Sequence, residues 1–307
     1  MSTTSSPEAP AGQGIPALNG VPPIALVVTA IVSIQFGAAL AATLFDRLPV
    51  PAVSALRLTL AAAIMLAIWR PWRVRHSPRA LRLAALLGVV LGVMNVMFFY
   101  AVDRIPLGVV VTIEFLGPIA VGAIYSARRR GLVWPALALL GVLLLSEPWQ
   151  TEGGLDLVGV GLAAVAAVFW GLYIVIAERA SRDFDGAQGV SISMVFAALV
   201  AFVPTLAGGD GLGHLDAEIL AIGLVVALLS SVIPYTLETE ALRRIPRGVF
   251  GVLMSMEPAI ASLAGLLVLG ETLDAVQLVA IGVVVLASVG VTRASSAPAV
   301  PEATMDG

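Results

Sequence analysis

A carboxylate lies in the middle of an apolar run at two places in this 307-residue chain, Glu114 and Glu257. Each run opens on an Ile-Pro pair, and the two runs cover residues 105–118 and 245–271. A carboxylate at the centre of a membrane-spanning helix costs about 2.5–3.5 kcal/mol, so it usually marks a functional site. The two runs therefore constrain both where the chain can lie and where its chemistry is.

A proline follows each carboxylate, Pro118 in the first run and Pro258 in the second. Proline inside a helix leaves the carbonyl four residues earlier without its N–H partner and bends the helix axis. The carbonyls concerned belong to Glu114 and Met254, which are 140 residues apart. Helix breaks at matching positions in two halves of a chain indicate the binding site of a secondary transporter.

The composition is that of a membrane protein, since 59% of the residues are hydrophobic and only 12% are charged. A transmembrane helix needs about 20 mostly apolar residues. We predict an all-α polytopic membrane protein with ten transmembrane helices. The predicted spans are residues 22–45, 51–69, 81–101, 107–126, 132–146, 156–177, 189–207, 217–237, 248–269 and 273–291.

Arginine placement predicts the orientation of these spans. If the N-terminus is inside, fourteen of the seventeen arginines lie in cytoplasmic segments, including the run 128–130. Only Arg47 and Arg104 lie outside, and Arg57 lies within a span. Cytoplasmic loops carry the excess of positive charge, so both termini are predicted to face the cytoplasm.

The two runs belong to a longer repeat, because residues 101–118 and 241–258 match at seven of eighteen positions. The first copy enters the membrane from outside and the second from inside, since each half has five spans. We predict two inverted five-helix repeats that meet around a midplane site; the alternative is chance similarity between two apolar segments. The predicted parts are a disordered tail (1–20), the two repeats (21–150 and 151–292) and a second disordered tail (293–307).

Arg57 and Glu114 lie at equal depth, roughly 9 and 10 Å from the outer ends of their spans at 1.5 Å per residue. Their opposite charges favour a substrate clamp, in which the arginine binds a carboxylate and the glutamate an ammonium group. The alternative is a buried ion pair that only fixes helix packing. Arg57 could also extend to the outer interface, which would remove the pair.

Glu257 lies near the midplane, roughly 14 Å from the inner end of its span. It is a candidate proton carrier or substrate ligand, and the alternative is a structural hydrogen bond to a neighbouring helix. Glu238 shares a helix face with Tyr235 and is a weaker candidate. Glu240 is expected to be solvated and Glu271 to lie at the interface.

Four more polar or aromatic residues at membrane depth are candidates to line a cavity. Trp170 and Tyr173 are three residues apart and share a helix face. The alternative roles are interhelical hydrogen bonding and anchoring at the membrane interface, which is favoured for Tyr100. The remaining two candidates are Gln35 and Asn95.

Some kinds of chemistry are excluded by residues that the chain lacks. There is no cysteine and no lysine, which excludes thiolate metal sites, cysteine nucleophiles and a Walker-A lysine. His76 and His214 both fall in loops, which counts against a zinc or serine–histidine intramembrane protease. We therefore expect no metal, no cofactor, no catalytic residue and no nucleic-acid partner, and transport driven by an ion gradient or by the substrate gradient.

Several stretches resemble one superfamily over nearly the whole chain. They are SIQFGAALA from Ser33, ALRLTLA from Ala55, MNVMFFYAVDRIPLG from Met94, EFLGP from Glu114, PYTLETEALRRIP from Pro234, FGVLMSMEPA from Phe250, LGETL from Leu269 and QLVAIG from Gln277. They resemble the drug/metabolite transporter superfamily, in particular its EamA-type ten-helix exporters and, within these, the threonine/homoserine exporter (RhtA-like) family. The resemblance favours as cavity residues Gln35, Arg57, Glu114, Tyr235, Glu238 and Glu257.

The resemblance implies an antiporter that exports small amino acids such as threonine and homoserine, driven by protons, from a cavity between the repeats. The substrate carboxylate would meet Arg57, and its ammonium group would meet Glu114 or Glu257. The alternatives are an exporter of another metabolite or drug and, from different classes, an intramembrane enzyme or a structural membrane protein. The expected partners are the amino acid, protons and the lipid bilayer, and the oligomeric state is left open.

Overall fold

The computed structural model describes the residues 18, 20–124, 133–146, 155–180, 183–184, 187–208, 215–242, 244–245, 250 and 253–296. The arginine run 128–130, predicted to lie in the cytoplasm, and most of the two predicted tails lie outside this set. Leu18 and residues 293–296 are exceptions that correct the tail predictions, because the Leu18 carbonyl accepts a hydrogen bond from Arg244 and the last helix continues to Ser296. The residues described form helices joined by turns, without a strand among them.

Twelve α-helices are labelled here in chain order. Two π-turns, Leu228–Val232 and Gly265–Leu269, and a 3₁₀ turn, Pro71–Arg73, accompany them. The α-helices are α1 (Pro23–Ala42), α2 (Val50–Trp69), α3 (Pro78–Val102), α4 (Leu107–Glu114), α5 (Leu116–Ile124), α6 (Val133–Ser146), α7 (Leu157–Ala180), α8 (Gln188–Ala207), α9 (Ala217–Ala227), α10 (Ile233–Leu242), α11 (Glu257–Ala264) and α12 (Ala275–Ser296).

Six helical segments in the part of the chain that the structure describes are long and apolar enough to cross a membrane. They comprise α1, α2, α3, α7, α8 and the run of α9 into α10. Shorter apolar helices occur at Leu107–Val121, Val133–Val142, Glu257–Leu269 and Ala275–Gly290. The prediction of an all-α polytopic membrane protein is confirmed at this level.

Side-chain caps fix the starts of several helices. Ser77 accepts a hydrogen bond from the Ala80 N–H at 3.1 Å at the start of α3. Asp216 does the same for the N–H of Ile219 at 2.7 Å at the start of α9. At the start of α12, Asp274 accepts from the Gln277 N–H at 2.8 Å, and the Gln277 side chain accepts from the Asp274 N–H at 3.2 Å. Each cap satisfies an N–H that has no partner within its own helix.

The two proline-containing runs are interrupted helices. The break between α4 and α5 lies at Phe115, three residues before Pro118. In the second run a turn at residues 255–256 precedes α11, whose second residue is Pro258. The missing proline N–H explains a break within the preceding turn in both cases.

A π-turn in the middle of the α9–α10 segment has its own cause. Pro234 offers no N–H to the carbonyls four and five residues earlier, so the carbonyl of Leu229 has lost its helical partner. The hydroxyl of Ser33 donates to this carbonyl at 2.7 Å, from α1. Gly37, one turn further along α1, lies so close to the π-turn that a Cβ there would be 2.8 Å from the backbone N of Ser230. This contact joins α1 to the α9–α10 segment.

Helix packing brings both broken helices to the middle of the bundle. α3 packs along α7 and α8, α2 along α8, α6 along α12, and α1 along α10. α4 packs against α11 and α5 against α7. Gly117 permits the last contact, because a Cβ there would collide with the carbonyl of Ala167. The ends of the helices that carry Glu114 and Glu257 thus lie in the same central region.

Candidate functional site

Arg57 lies in α2 and is only 6% exposed, so it does not extend to the interface. Its Nη2 donates to the Oδ1 of Asn95 on α3, and its guanidinium carbon is 5.1 Å from the ring centroid of Phe99. Asn95 in turn donates its Nδ2 to the carbonyl of Leu91 at 2.8 Å. Both ends of the Asn95 amide are therefore hydrogen-bonded, so Asn95 orients the guanidinium of Arg57.

The guanidinium keeps an unused donor. The Nε of Arg57 is buried without a hydrogen-bond partner, and none of the described carboxylates lies within 4.0 Å of this arginine. Glu114 acts on Arg57 only through its charge. The alternative of a direct Arg57–Glu114 ion pair is therefore wrong for this structure, and the unused Nε donor can bind an added carboxylate.

Glu257 lies at the first position of α11 and is 5% exposed. Gln35 of α1, also buried, donates its Nε2 to the Oε2 of Glu257 at 3.3 Å. The partial positive charge at a helix N-terminus favours a negative group at this position. One carboxylate oxygen remains to accept from a bound ammonium group.

Electrostatic interactions connect these residues to the other predicted ones. The charge of Glu114, at the end of α4 and 7% exposed, acts on Arg57, Tyr235 and Glu257. The charge of Glu238 on α10 acts on Glu257 and on the hydroxyls of Tyr235 and Tyr173, which also interact with each other. The structure thus brings six predicted residues within electrostatic range.

Trp170 reaches the site through an aromatic contact rather than a polar one. Its ring lies edge-on to Phe115, with centroids 5.0 Å apart and an interplanar angle of 88°. Phe115 is the residue at which α4 ends, directly after Glu114. Trp170 and Tyr173 are both partly buried. Tyr173 and Tyr235 pack against the same cluster of buried residues from α2, α3, α8 and α9. All nine predicted site residues thus join one region, although Trp170 does so indirectly.

Two aromatic residues of the site were not predicted. Phe99 is four residues after Asn95, so the helical period already places both on the face of α3 that meets Arg57. Phe115 is marked by its position between Glu114 and Pro118 in the EFLGP stretch. In both cases the fixed spacing from a predicted site residue, Asn95 or Glu114, could have identified the aromatic residue.

One acidic residue has surroundings that differ from expectation, and a second has a hydrogen-bond partner that was not predicted. Glu240, expected in solvent, is 3% exposed and accepts a 2.8 Å hydrogen bond from the Nε of Arg244, four residues further along the chain. Glu271, expected at the interface, is half-buried and accepts from the Leu107 N–H at 2.9 and 3.2 Å. Burial raises the pKa of Glu271, and this hydrogen bond lowers it in part. Glu271 thus caps the first turn of α4.

The charge balance decides what the site can bind. The predicted site contains three carboxylates, those of Glu114, Glu238 and Glu257, and one guanidinium, that of Arg57; of the three carboxylates, Glu114 is the one whose charge acts on Arg57. Unpaired charges are costly away from water, so three carboxylates and one arginine favour a bound cation, bound protons or both. A zwitterion supplies a carboxylate for the free arginine donor and an ammonium group for the glutamates.

Comparisons with known proteins identify a family and several relatives of this chain. Residues 157–293 match the EamA-like transporter family. The chain is 42% identical over 272 residues to the threonine/homoserine exporter RhtA of Escherichia coli K12, which covers 88% of this chain and 91% of that protein. The protein of the same name from Salmonella typhimurium LT2 is 40% identical with equal coverage. An uncharacterized inner membrane transporter, YedA of Escherichia coli K12, is 27% identical over 76% of this chain and 78% of its own length.

A protein of known crystal structure superimposes with a TM-score of 0.58 at 20% identity, over 87% of this chain and 95% of that one. This similarity concerns the fold alone. The curated relatives are transporters, so the resemblance to this superfamily and the prediction of a transporter rather than an enzyme are both confirmed.

Proposed function

The chain belongs to the EamA-like transporter family, and from this membership we propose that it exports small amino acids of the threonine and homoserine type across the bacterial cytoplasmic membrane. The relatives named threonine/homoserine exporter support this substrate class, because they are similar over nine-tenths of their length. The observation that carries the proposal is the buried Arg57, with its unused Nε donor, among buried glutamates.

In the proposed complex the substrate carboxylate binds Arg57, which Asn95 orients, and the ammonium group binds Glu257 beside Gln35. Glu114 contributes the second negative charge between these two poles. The aromatic rings of Trp170 and Tyr173 border the pocket. A substrate with only one of the two charged groups leaves either the guanidinium or a carboxylate unpaired, which is the basis for selecting zwitterions.

Coupling to protons follows from the excess of carboxylates. With a substrate bound, Glu257 is neutralised by the ammonium group; after release, a proton from outside takes its place. Protonation from outside therefore favours release and the return of the empty carrier, which amounts to substrate–proton antiport. The other two carboxylates at the site, Glu114 and Glu238, are further positions at which a proton can be held.

The proposed architecture is ten transmembrane helices in two inverted repeats, residues 21–150 and 151–292, with both termini in the cytoplasm. Packing supports the repeats, because α3 runs along the first helix of the second half, α7, and the α9–α10 segment runs along the first helix of the first half, α1. The breaks at Phe115 and at residue 255 are also 140 residues apart. The arginine distribution supports the orientation.

Uptake into inverted membrane vesicles tests the function. Radiolabelled threonine and homoserine are offered with an inside-acid gradient, with the gradient collapsed by an uncoupler, and to vesicles without the protein. Accumulation that needs both protein and gradient supports the proposal. Protein-dependent accumulation that the uncoupler does not reduce refutes only the coupling to protons. The absence of accumulation of both amino acids refutes the substrate class.

Two substitutions with matched controls test the site. Arg57→Gln should abolish binding of the substrate carboxylate, whereas Arg70→Gln, at the exposed end of the same helix, should leave transport unchanged. Glu257→Gln should abolish gradient-dependent accumulation, whereas Glu218→Gln on the exposed start of α9 should not. A fully active Glu257→Gln protein would refute the coupling role.

A further inference from the structure

The turns that lead into the two broken helices are built alike. Arg104 and Ile105 both donate their backbone N–H groups to the carbonyl of Ala101, at 2.9 Å each. Arg244 and Ile245 donate in the same way to the carbonyl of Ala241, at 2.8 and 3.0 Å. The two arginines are therefore equivalent in local structure as well as in the sequence repeat.

Each arginine side chain reaches the start of the first helix of a repeat. Arg104 donates its Nη1 to Asp156 at 2.9 Å, and Asp156 caps α7 by accepting from the Val158 N–H at 2.8 Å. Arg244 donates its Nη1 to the carbonyls of Leu18 at 2.9 Å and Val21 at 3.3 Å, in the segment that leads into α1. Each arginine thus contacts the half of the chain to which it does not belong, and the exchange is reciprocal.

The two contacts lie at opposite ends of the bundle. Arg47, after α1, bonds to Asp216 and Glu218 at the start of α9, so α1 and the α9–α10 segment run in opposite directions. The end of α3 lies at this same end, because Phe99 contacts Phe45 with ring centroids 5.8 Å apart. Arg104 follows α3 directly and so belongs to this end, whereas Arg244 follows α10 at the other.

We propose that Arg104 and Arg244 are the two gate residues of the transporter, which hold the outer and the inner ends of the cavity closed and release in alternation. This rests on the proposed alternating-access transport. The Arg104 turn is joined to Glu114 through the short helix α4, so this turn can swing once it is free without unfolding the helix beyond the break. Arg244 lies thirteen residues before Glu257 in the second repeat. Release of Arg104 opens the cavity outward, and release of Arg244 opens it inward.

The two gates differ in strength. Arg104 and Asp156 are both well exposed, with 43% and 35% of their side chains accessible, so water and salt weaken their pair. Arg244 is mostly buried, so water weakens its hydrogen bonds to the carbonyls of Leu18 and Val21 less. Its pair with Glu240 lies within its own segment and only orients the guanidinium. Loss of Arg244 should therefore change the balance of the two states more than loss of Arg104.

Sided labelling of a single introduced cysteine tests the gates. The chain contains no cysteine, so one can be introduced without removing others. Ser231→Cys is the reporter substitution, because the buried serine hydroxyl has no hydrogen-bond partner to lose and lies one turn from Tyr235. A membrane-impermeant maleimide is applied to right-side-out and to inverted vesicles, and the labelling rate of the Ser231→Cys protein is measured from each side without any substrate.

In this reporter background, Arg104→Gln should raise the outside rate several-fold and lower the inside rate, and Arg244→Gln should do the reverse with a larger change. Arg70→Gln is the control and should alter neither rate. Arg104→Lys and Arg244→Lys, which keep the charge, should give smaller shifts in the same directions and guard against a misfolded Gln variant.

Shifts in the same direction, or rates that stay unchanged in correctly folded proteins, would overturn the gate assignment. A reporter that no variant exposes from either side would overturn it as well. Because no substrate is present, the gate result is independent of the threonine assay, so failure of one proposal can be told from failure of the other.

Discussion

Replacing Gly37 by alanine tests whether the contact of α1 with the π-turn holds the binding site in place. The new Cβ would lie 2.8 Å from the Ser230 backbone N and 2.9 Å from the Leu229 Cβ, whereas ordinary van der Waals contact begins at 3.4 Å. A backbone atom cannot rotate away, so the two helices must separate by roughly half an ångström, which typically costs about 1–3 kcal/mol in a packed interior.

Both stability and transport should respond. At an unfolding entropy of about 2.1 cal/mol/K per residue, a loss of about 1–3 kcal/mol in this 307-residue chain should lower the unfolding temperature in detergent by about 2–5 °C. The displacement also moves Gln35, two residues away on α1, relative to Glu257. Since misplacement of about 1 Å costs about 100-fold in a preorganised site, the initial rate of threonine accumulation should drop by roughly tenfold.

Gly161→Ala and Gly282→Ala are the matched controls, because a Cβ at either position meets no heavy atom within 4 Å. Both are helical, so alanine should leave the unfolding temperature unchanged or raise it slightly. The reasoning is refuted if the Gly37 variant is as stable and as active as the two controls, since the close contact would then be immaterial to the packing.

Three further predictions concern single polar contacts. Ser33→Ala should lower the free energy of unfolding by about 1 kcal/mol, because it leaves the partly buried π-turn carbonyl unpaired; Thr43→Ala, which removes only an exposed local hydrogen bond, should not change it in the same denaturation assay. Asn95→Leu should raise the KM for threonine by about tenfold or more by releasing the Arg57 guanidinium, and an unchanged KM would remove Asn95 from this role. The hydrogen bond from Arg104 holds the pKa of Asp156 below the usual value. The stability that this pair contributes is therefore present above about pH 3.9 and is lost as the pH falls through the lowered pKa. The difference in unfolding temperature between wild type and Asp156→Asn should therefore vanish in acid, and a difference that persists there would contradict this.

The positions of the helix breaks could be predicted from the prolines in the sequence. The predicted positions follow from the missing N–H of Pro118 and Pro258 alone, and the structure has interruptions within the preceding turn at both. Pro234 could have been interpreted in the same way, but its effect, a π-turn, depends on Ser33 of another helix acting as the replacement donor. A missing N–H is a property of one residue, whereas its replacement comes from a neighbour.

The sequence by itself determined that the chain is a helical membrane protein of a transporter class, and it identified Arg57, Glu114 and Glu257 as charged residues within apolar spans, which the structure buries. These follow from apolar run length and from the cost of burying a charge, both of which are counted along one chain segment. Only the tertiary structure decided that Arg57 bonds to Asn95 rather than Glu114, that Glu240 is buried beside Arg244, and that Glu271 caps α4. Hydrogen-bond partners depend on the rotation and separation of whole helices to within about an ångström, and packing between distant segments sets these quantities.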